Sequence, residues 1–244
     1  MGVIDKMKAG PFPRVMSASL QDVSASHTLR CDAKQSEQRF QTFKAWIESV
    51  SCWRLGDYLP SPIIKGTQPQ YVEATDGSGI PVISTLAIQE LAIDKAACRP
   101  VANGDYGDNE TRKPRRGDVL LTVDGGPSIG KPALFDLAGE WAIDSHVAIL
   151  RPVGVDPELL VYLLASPIGQ IQFEQAESGA SGQTSVTEED LRRFRFPDIS
   201  KAKARQALSR VRKAIAEGDR LRRQAEQRQV EGWERFMALY TADM

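Results

Sequence analysis

From Asp118 to Leu134 the chain reads DVLLTVDGGPSIGKPAL. A run of strand-forming apolar residues breaks at Gly125-Gly126-Pro127, and Gly130-Lys131-Pro132 follow. Counted from Gly125, a glycine, four residues and Gly130-Lys131 reproduce the spacing of a phosphate-cradling loop. That reading leads to a nucleotide-binding fold with a helix after the lysine. The competing reading is a glycine turn that sends one strand back beside another. Position 132 decides between them. A phosphate loop needs a hydroxyl there for Mg²⁺, and a helix whose first amides face the phosphate. Pro132 has neither a hydroxyl nor an amide hydrogen. The next residues, ALFDLAGEW, are too few for that helix before a polar turn, and no apolar strand ending in Asp supplies a second Mg²⁺ ligand. The stretch reads as two strands joined by a turn.

Outward from this pair, the chain between Trp53 and Leu150 alternates short apolar runs with Gly, Pro and Asp turns. IPVIST (Ile80 to Thr85) and SHVAILRP (Ser145 to Pro152) are the clearest further strands. Upstream, Phe40, Phe43, Ile47 and Val50 recur at steps of three and four, which predicts a helix within Ala33 to Val50. Downstream, Asp156 before Pro157 marks the N-cap of PELLVYLLAS, and a second helix is expected near Ile168 to Gln175. SGASGQTS (Ser178 to Ser185) reads as a loop, and Thr187 with Asp190 opens a short helix in TEEDLRRF. FRFP closes the body, and from Pro197 to about Tyr240 the pattern is helical almost without interruption. The fold expected is α+β: a strand-rich body with flanking helices and one long C-terminal helix of coiled-coil type. Its boundaries fall at 1–50 for the lead-in and first helix, 51–197 for the body and 198–244 for the long helix.

With 244 residues, 41% hydrophobic and 26% charged, the chain has room for one substantial domain and an appendage. No apolar run approaches the roughly 18 residues of a membrane span. The opening MGVIDKMKAGPFP lacks the apolar core of a signal peptide, and Lys6 stands where a myristoylation signal needs Ser or Thr. A cytoplasmic protein without a membrane partner is expected. Cys31, Cys52 and Cys98 are odd in number and far apart, so they read as buried thiols rather than disulfides or a metal site. With only His27 and His146 in the chain, zinc catalysis is not expected. HExxH and GxGxxG are missing, Ser181 in SGASG is out of place for a nucleophile elbow, and no N-P-P-Y or Glu-x-Lys motif is present. The expectation is no catalysis, no cofactor and no metal. Net charge is −1, but it is unevenly spread: from Lys201 onward 11 Lys/Arg face 6 Asp/Glu, whereas the first 200 residues carry 20 against 26. A second basic cluster, Arg112, Lys113, Arg115 and Arg116, precedes the quoted stretch.

Several segments, taken in order, carry a resemblance. Trp53-Arg54-Leu55-Gly56-Asp57-Tyr58 leads into Lys65-Gly66-Thr67-Gln68-Pro69-Gln70-Tyr71 and IPVIST. RRGDVLLTVDGGPSIGK, DSHVAILRP, PELLVYLLAS and SGASGQTSV follow, then DLRRFRFP before the long helix. Together they resemble a target recognition domain of type I restriction-modification specificity (S) subunits, from Trp53 to about Tyr240. The pattern departs in two places: Asp198-Ile199-Ser200 follows FRFP where a second proline is usual, and residues 1 to 30 match nothing in it. The resemblance implies sequence-specific binding of double-stranded DNA and docking of an adenine DNA methyltransferase subunit, in some systems with a restriction or translocase subunit. S subunits usually hold two recognition domains separated by long helices. One of each implies a half-subunit that pairs with a second copy or a second specificity half. Reduced S-like proteins of this kind also occur in other methylation-based antiviral defence systems. A protein–protein adapter that uses the long helix as an assembly arm is the rival reading.

Base edges are read by Asn, Gln, Ser, Thr, Arg or Lys on loops held by a rigid body, and phosphates by Lys, Arg, Ser and backbone amides. Candidate DNA-binding residues are therefore Lys65, Thr67, Gln68 and Gln70 in KGTQPQ, and Ser128 and Lys131 on the glycine turn. Ser181, Gln183, Thr184 and Ser185 in the SGASGQTS loop join them, with Arg112, Lys113, Arg115 and Arg116. In the long helix, Leu208, Ile215, Arg222, Gln229 and Phe236 share one heptad position, and Val211, Gly218, Ala225, Gly232 and Leu239 another. Glycine in a helix costs about 1 kcal/mol relative to alanine, so two on one seam point to a close-packed second helix.

Overall fold

A computed structural model describes residues 37–73, 79–89, 91–102, 112–178 and 184–241. In chain order its elements begin with α1 (Gln38–Glu48), β1 (Cys52–Arg54), β2 (Ile64–Lys65), β3 (Ile80–Ile83), β4 (Ile88–Gln89), β5 (Ala92–Ile93) and β6 (Arg99–Val101). There follow β7 (Val119–Thr122), β8 (Pro132–Leu134), β9 (Ala142–Ile143), β10 (Val147–Leu150), α2 (Pro157–Ala165) and α3 (Pro167–Ala176). The chain ends with α4 (Glu188–Arg193), β11 (Arg195–Pro197) and α5 (Lys201–Thr241). Two units divide it, the first ending at Asp198 and the second beginning at Ile199.

The quoted stretch forms β7 and β8, paired antiparallel with Val119 opposite Leu134 and Leu121 opposite Pro132. They belong to a four-stranded sheet of order β2-β10-β7-β8. Successive strand side chains point to opposite faces, and β7 is apolar at successive positions because both faces are covered. Val119, Leu121 and Val123 join Leu160, Val161 and Leu164 of α2 and Phe173 of α3 in one core. Leu120 joins Ile83, Phe135, Ile143, Val147 and Ile149 in a second core on the other face. Full burial of a leucine contributes about 1.5–3 kcal/mol, so this strand anchors both layers.

Around this sheet lie a three-stranded sheet of order β6-β3-β9, with β3 and β9 parallel, and the β4–β5 hairpin. The tryptophan opening and the FRFP exit pair with each other. In the β1–β11 ladder Trp53 stands opposite Phe196, their ring centroids are 5.0 Å apart, and the Leu55 amide donates to the Phe194 carbonyl at 2.8 Å. The first helix is no separate piece: Phe40, Phe43 and Ile47 pack with Ile171 of α3.

The caps read from the sequence are present. The Asp156 carboxylate accepts from the Glu158 amide at 2.9 Å, and Thr187 and Asp190 form a reciprocal capping box. The strands expected over Ile80–Thr85 and Ser145–Pro152 are shorter, ending at Ile83 and spanning Val147–Leu150, because Ser84 to Ala87 and Asp144 to Val147 close as turns. The thiols require a correction. Cys52 and Cys98 are half-buried rather than buried, since one begins an edge strand and the other ends a short turn before β6. Cys31 lies outside the described residues, as do residues 1 to 30. Among the described residues no helix is long and apolar enough to cross a membrane.

Candidate functional site

One end of the four-stranded sheet gathers most of the candidate residues. β2 and β7 end there, and β8 and β10 begin there, because β10 runs antiparallel to both β2 and β7. The loop after Lys65 is held from below: the Gly66 amide donates to the Val147 carbonyl at 3.2 Å, and Thr67 bridges to Asp144. The Ser145 hydroxyl donates to Oε1 of Gln68 at 3.1 Å. A fourth segment arrives from the loop before α4. The Val186 amide donates to the Val123 carbonyl at 2.8 Å, the Gly125 amide to the Thr184 carbonyl at 3.3 Å, and Asp124 bridges to Ser185. Lys65, Gln68 and Lys131 are exposed here, and Thr67, Ser128, Thr184 and Ser185 half-buried, whereas the exposed Gln70 precedes Tyr71, which bridges to Val101 of β6. Ser181 and Gln183 lie outside the described residues.

The glycine turn is not built as a phosphate cradle of backbone amides. Its amides are engaged within the protein: Gly130 donates to the Thr122 carbonyl at 2.9 Å, Lys131 to the Thr122 hydroxyl at 3.0 Å, and Ile129 to the Gly126 carbonyl at 3.0 Å. The Thr122 hydroxyl in turn donates to the Ser128 carbonyl. Gly125 adopts φ +101°, a left-handed conformation that favours glycine, and a β-carbon at Gly130 would stand 2.8 Å from the Phe173 ring. These glycines turn the chain and let α3 approach. After Lys131 comes β8, not a helix.

The basic cluster Arg112, Lys113, Arg115 and Arg116 does not join this edge. It precedes Val119, at the opposite end of β7. Part of it is structural there. Lys113 Nζ pairs with Glu140 at 2.5 Å, and the Lys113 carbonyl accepts from Arg151 Nη2 at 3.0 Å. Asp118 is 5% exposed and ties the corner, accepting from the Arg115 amide at 2.8 Å and from Arg151 Nε at 3.2 Å. Burial pushes the Asp118 carboxyl up from its ordinary value, against the Arg115 amide and the Arg151 guanidinium. At the first edge burial likewise raises Asp144, against the amides of His146 and Val147.

Three residues at the first edge escaped the sequence reading. Asp124 accepts from Lys65 Nζ at 2.5 Å through Oδ2 and contacts His146 Nδ1 through Oδ1. Thr122 is fully buried and clamps the turn. A shallow cleft of about 450 Å³ between the glycine turn and α3 is lined by Pro127, Ile129, Gln170, Phe173, Glu174 and Glu177. Among the described residues no three His, Cys, Asp or Glu side chains gather as a metal site.

The second unit is a single helix of 41 residues, about 60 Å long at 1.5 Å per residue. Past Leu208 its expected seam carries no buried residue: Val211, Ile215, Arg222, Ala225, Gln229 and Phe236 are exposed or half-buried. A β-carbon at Gly218 or Gly232 would meet nothing within 4 Å. Near its end Val230, Trp233, Met237 and Tyr240 follow one another at steps of three and four, all at least half exposed. Phe236 stacks on Tyr240 at 5.8 Å and meets Trp233 edge-on at 5.8 Å.

No protein-family model matches the chain, and no curated protein matches it. Solved structures do. A chain from a structure of complex assembly and conformational transition of the type I restriction-modification system matches with a TM-score of 0.52 at 20% identity, covering 76% of this chain and 47% of that one. The HsdS subunit from Thermoanaerobacter tengcongensis gives 0.47 at 19% identity, over 74% and 44% of the two chains. The type I restriction-modification S subunit from M. genitalium gives 0.45 at 12% identity, over 65% and 37%. The chain spans less than half the length of the solved chains it matches. What it shares with the first of them is the fold.

Proposed function

We propose that this chain is a DNA specificity module: it reads a target sequence in double-stranded DNA and directs a partner adenine methyltransferase to it, with no catalysis of its own. The observation that carries this reading is the convergence of four loop segments on one sheet edge, with Lys65, Gln68 and Lys131 exposed on it. A rigid sheet that presents a glutamine and lysines from neighbouring loops has what base reading and phosphate holding require. The fold, shared with a chain of a type I system, adds its weight.

In this reading Gln68 contacts base edges, and Lys65 and Lys131 hold phosphates. Arg115 and Arg116, at the far end of β7, would reach only flanking backbone. Two such modules, in two copies or with a second specificity half, read the two halves of a site. The long helix is the assembly arm, and its exposed Val230-Trp233-Met237-Tyr240 stripe supports that part. The same stripe favours the rival reading, an adapter that assembles proteins and ignores DNA.

Selection from a duplex library with a randomised window separates the two, using complexes purified through the tagged full chain. A specificity module retains one recurring motif. Gln68→Ala then relaxes one position of that motif, where a good bidentate pair discriminates by about 1–3 kcal/mol. Lys131→Ala lowers the yield without changing the motif. A library recovered unenriched from an intact complex leaves the adapter.

A further inference from the structure

The carboxylate of Asp124 sits on the edge proposed to face DNA, where it would repel phosphate, so it needs a reason to be there. Stability supplies little of one, because exposed ion pairs contribute about 0–1 kcal/mol. Its geometry is more informative. Asp124 is 19% exposed, and its backbone is fixed against Ser185, with the next amide bonded to Thr184. One carboxylate oxygen takes Lys65 Nζ at 2.5 Å and the other takes His146 Nδ1. The two partners arrive from different strands, Lys65 at the end of β2 and His146 just before β10, and are 50% and 48% exposed. Asp144 lies beneath, buried, and accepts the His146 amide at 2.9 Å.

We infer that Asp124 is a positioning residue that holds Lys65 and His146 side by side as a grip on one backbone phosphate of the duplex. The inference rests on the DNA-reading function proposed above and names a contact within it. An ammonium has three donors, of which the carboxylate takes one. An imidazole whose Nδ1–H is held by a carboxylate presents Nε2 across the ring, and in the imidazolium form Nε2 carries a second hydrogen to donate to a phosphate oxygen. Both groups are thereby fixed at one end with capacity left at the other, and a phosphate oxygen is the acceptor that a lysine meets as a point charge. Pre-ordering two side chains lowers the entropy lost on binding. Such a contact is independent of sequence, so it is testable before the target motif is known.

The test measures binding of the full chain at low salt to a mixed-sequence duplex of about 30 bp, by fluorescence anisotropy with a salt titration. Lys65→Ala should weaken binding and reduce the slope of log K against log salt by about 0.9. His146→Ala should weaken binding as well. Asp124→Asn removes a negative charge, and electrostatics alone would tighten binding. Positioning has the opposite sign, weakening it about fivefold, the scale of one exposed hydrogen bond. In the Lys65→Ala His146→Ala background there is nothing left to position, and Asp124→Asn should then tighten binding. Tighter binding of Asp124→Asn alone, or weakening in both backgrounds, overturns the inference while leaving the DNA-reading function standing. Failure of the wild-type chain to bind any duplex, both alone and in the complex purified through it, overturns both. Melting curves accompany each variant, and if Asp124→Asn melts early then Asp124→Ser is judged by the same signs.

Discussion

Gly66 shows how much of the candidate edge depends on single residues. A β-carbon there would stand 2.1 Å from the Ile143 carbonyl oxygen and 2.3 Å from that of Asp144, so the loop carrying Thr67 to Gln70 lies directly on backbone. Gly66→Ala must push the loop away, and overpacking of this kind costs about 1–3 kcal/mol. A lower melting temperature in differential scanning calorimetry is the expected outcome, and an unchanged one would show that the loop gives freely. Cys98 offers a second check. Burial and Asp94 push its thiol up to about 11, which leaves little thiolate at pH 8. Two units of pKa make thiolate about a hundredfold scarcer, offset about tenfold by greater nucleophilicity. Ellman's reagent with peptide mapping should therefore find Cys98 about tenfold slower than an ordinary exposed thiol. At this scale the sequence was half legible. KGTQPQ and the glycine turn announced themselves, and Pro132 was enough to read a turn there. Asp124 did not, because its partner Lys65 is 59 residues away and only the sheet brings the two together.

Elements were legible in proportion to their length and their end signals. The 41-residue α5, α2 with its Asp156 cap, α4 with its capping box and the doubly buried β7 all follow from local pattern. The two-residue strands β2, β4, β5 and β9 have no period to read; they exist through pairing with distant partners. The parallel β3–β9 contact is of the same kind. In α5 the heptad seam of the sequence meets an open surface: Gly218 and Gly232 have nothing near them. Within the lone helix these glycines are a loss, and replacing each should stabilise it by about 1 kcal/mol. Gly218→Leu with Gly232→Leu should therefore raise helicity in circular dichroism. If the small residues exist to admit a second helix, the same variant loses mass in light scattering. Gained helicity with an undiminished assembly would mean that the seam is not an interface.

For the whole molecule, the proposed function gives DNA reading to the body and assembly to the long helix. The body is nearly neutral and slightly acidic and the helix basic, so affinity for random DNA from the body alone should be weak. Under the proposed function, specificity comes from the clustered edge and much of the phosphate contact from a partner. Sequence order made the ends of the body readable, as the opening at Trp53 and the exit at Phe196 lie on two strands that pair with each other. Which end of the sheet carries the candidates was not readable, because Arg112 to Arg116 and Ser128 to Lys131 are close in sequence yet lie at opposite ends of β7. Methylome sequencing of cells with and without the gene for this chain shows whether it sets the target of a methyltransferase. One recurring adenine-modified motif should disappear on deletion, return with the intact chain, and return degraded with Gln68→Ala. An unchanged set of modified motifs, in cells where the chain and a methyltransferase are both expressed, would contradict the proposed function.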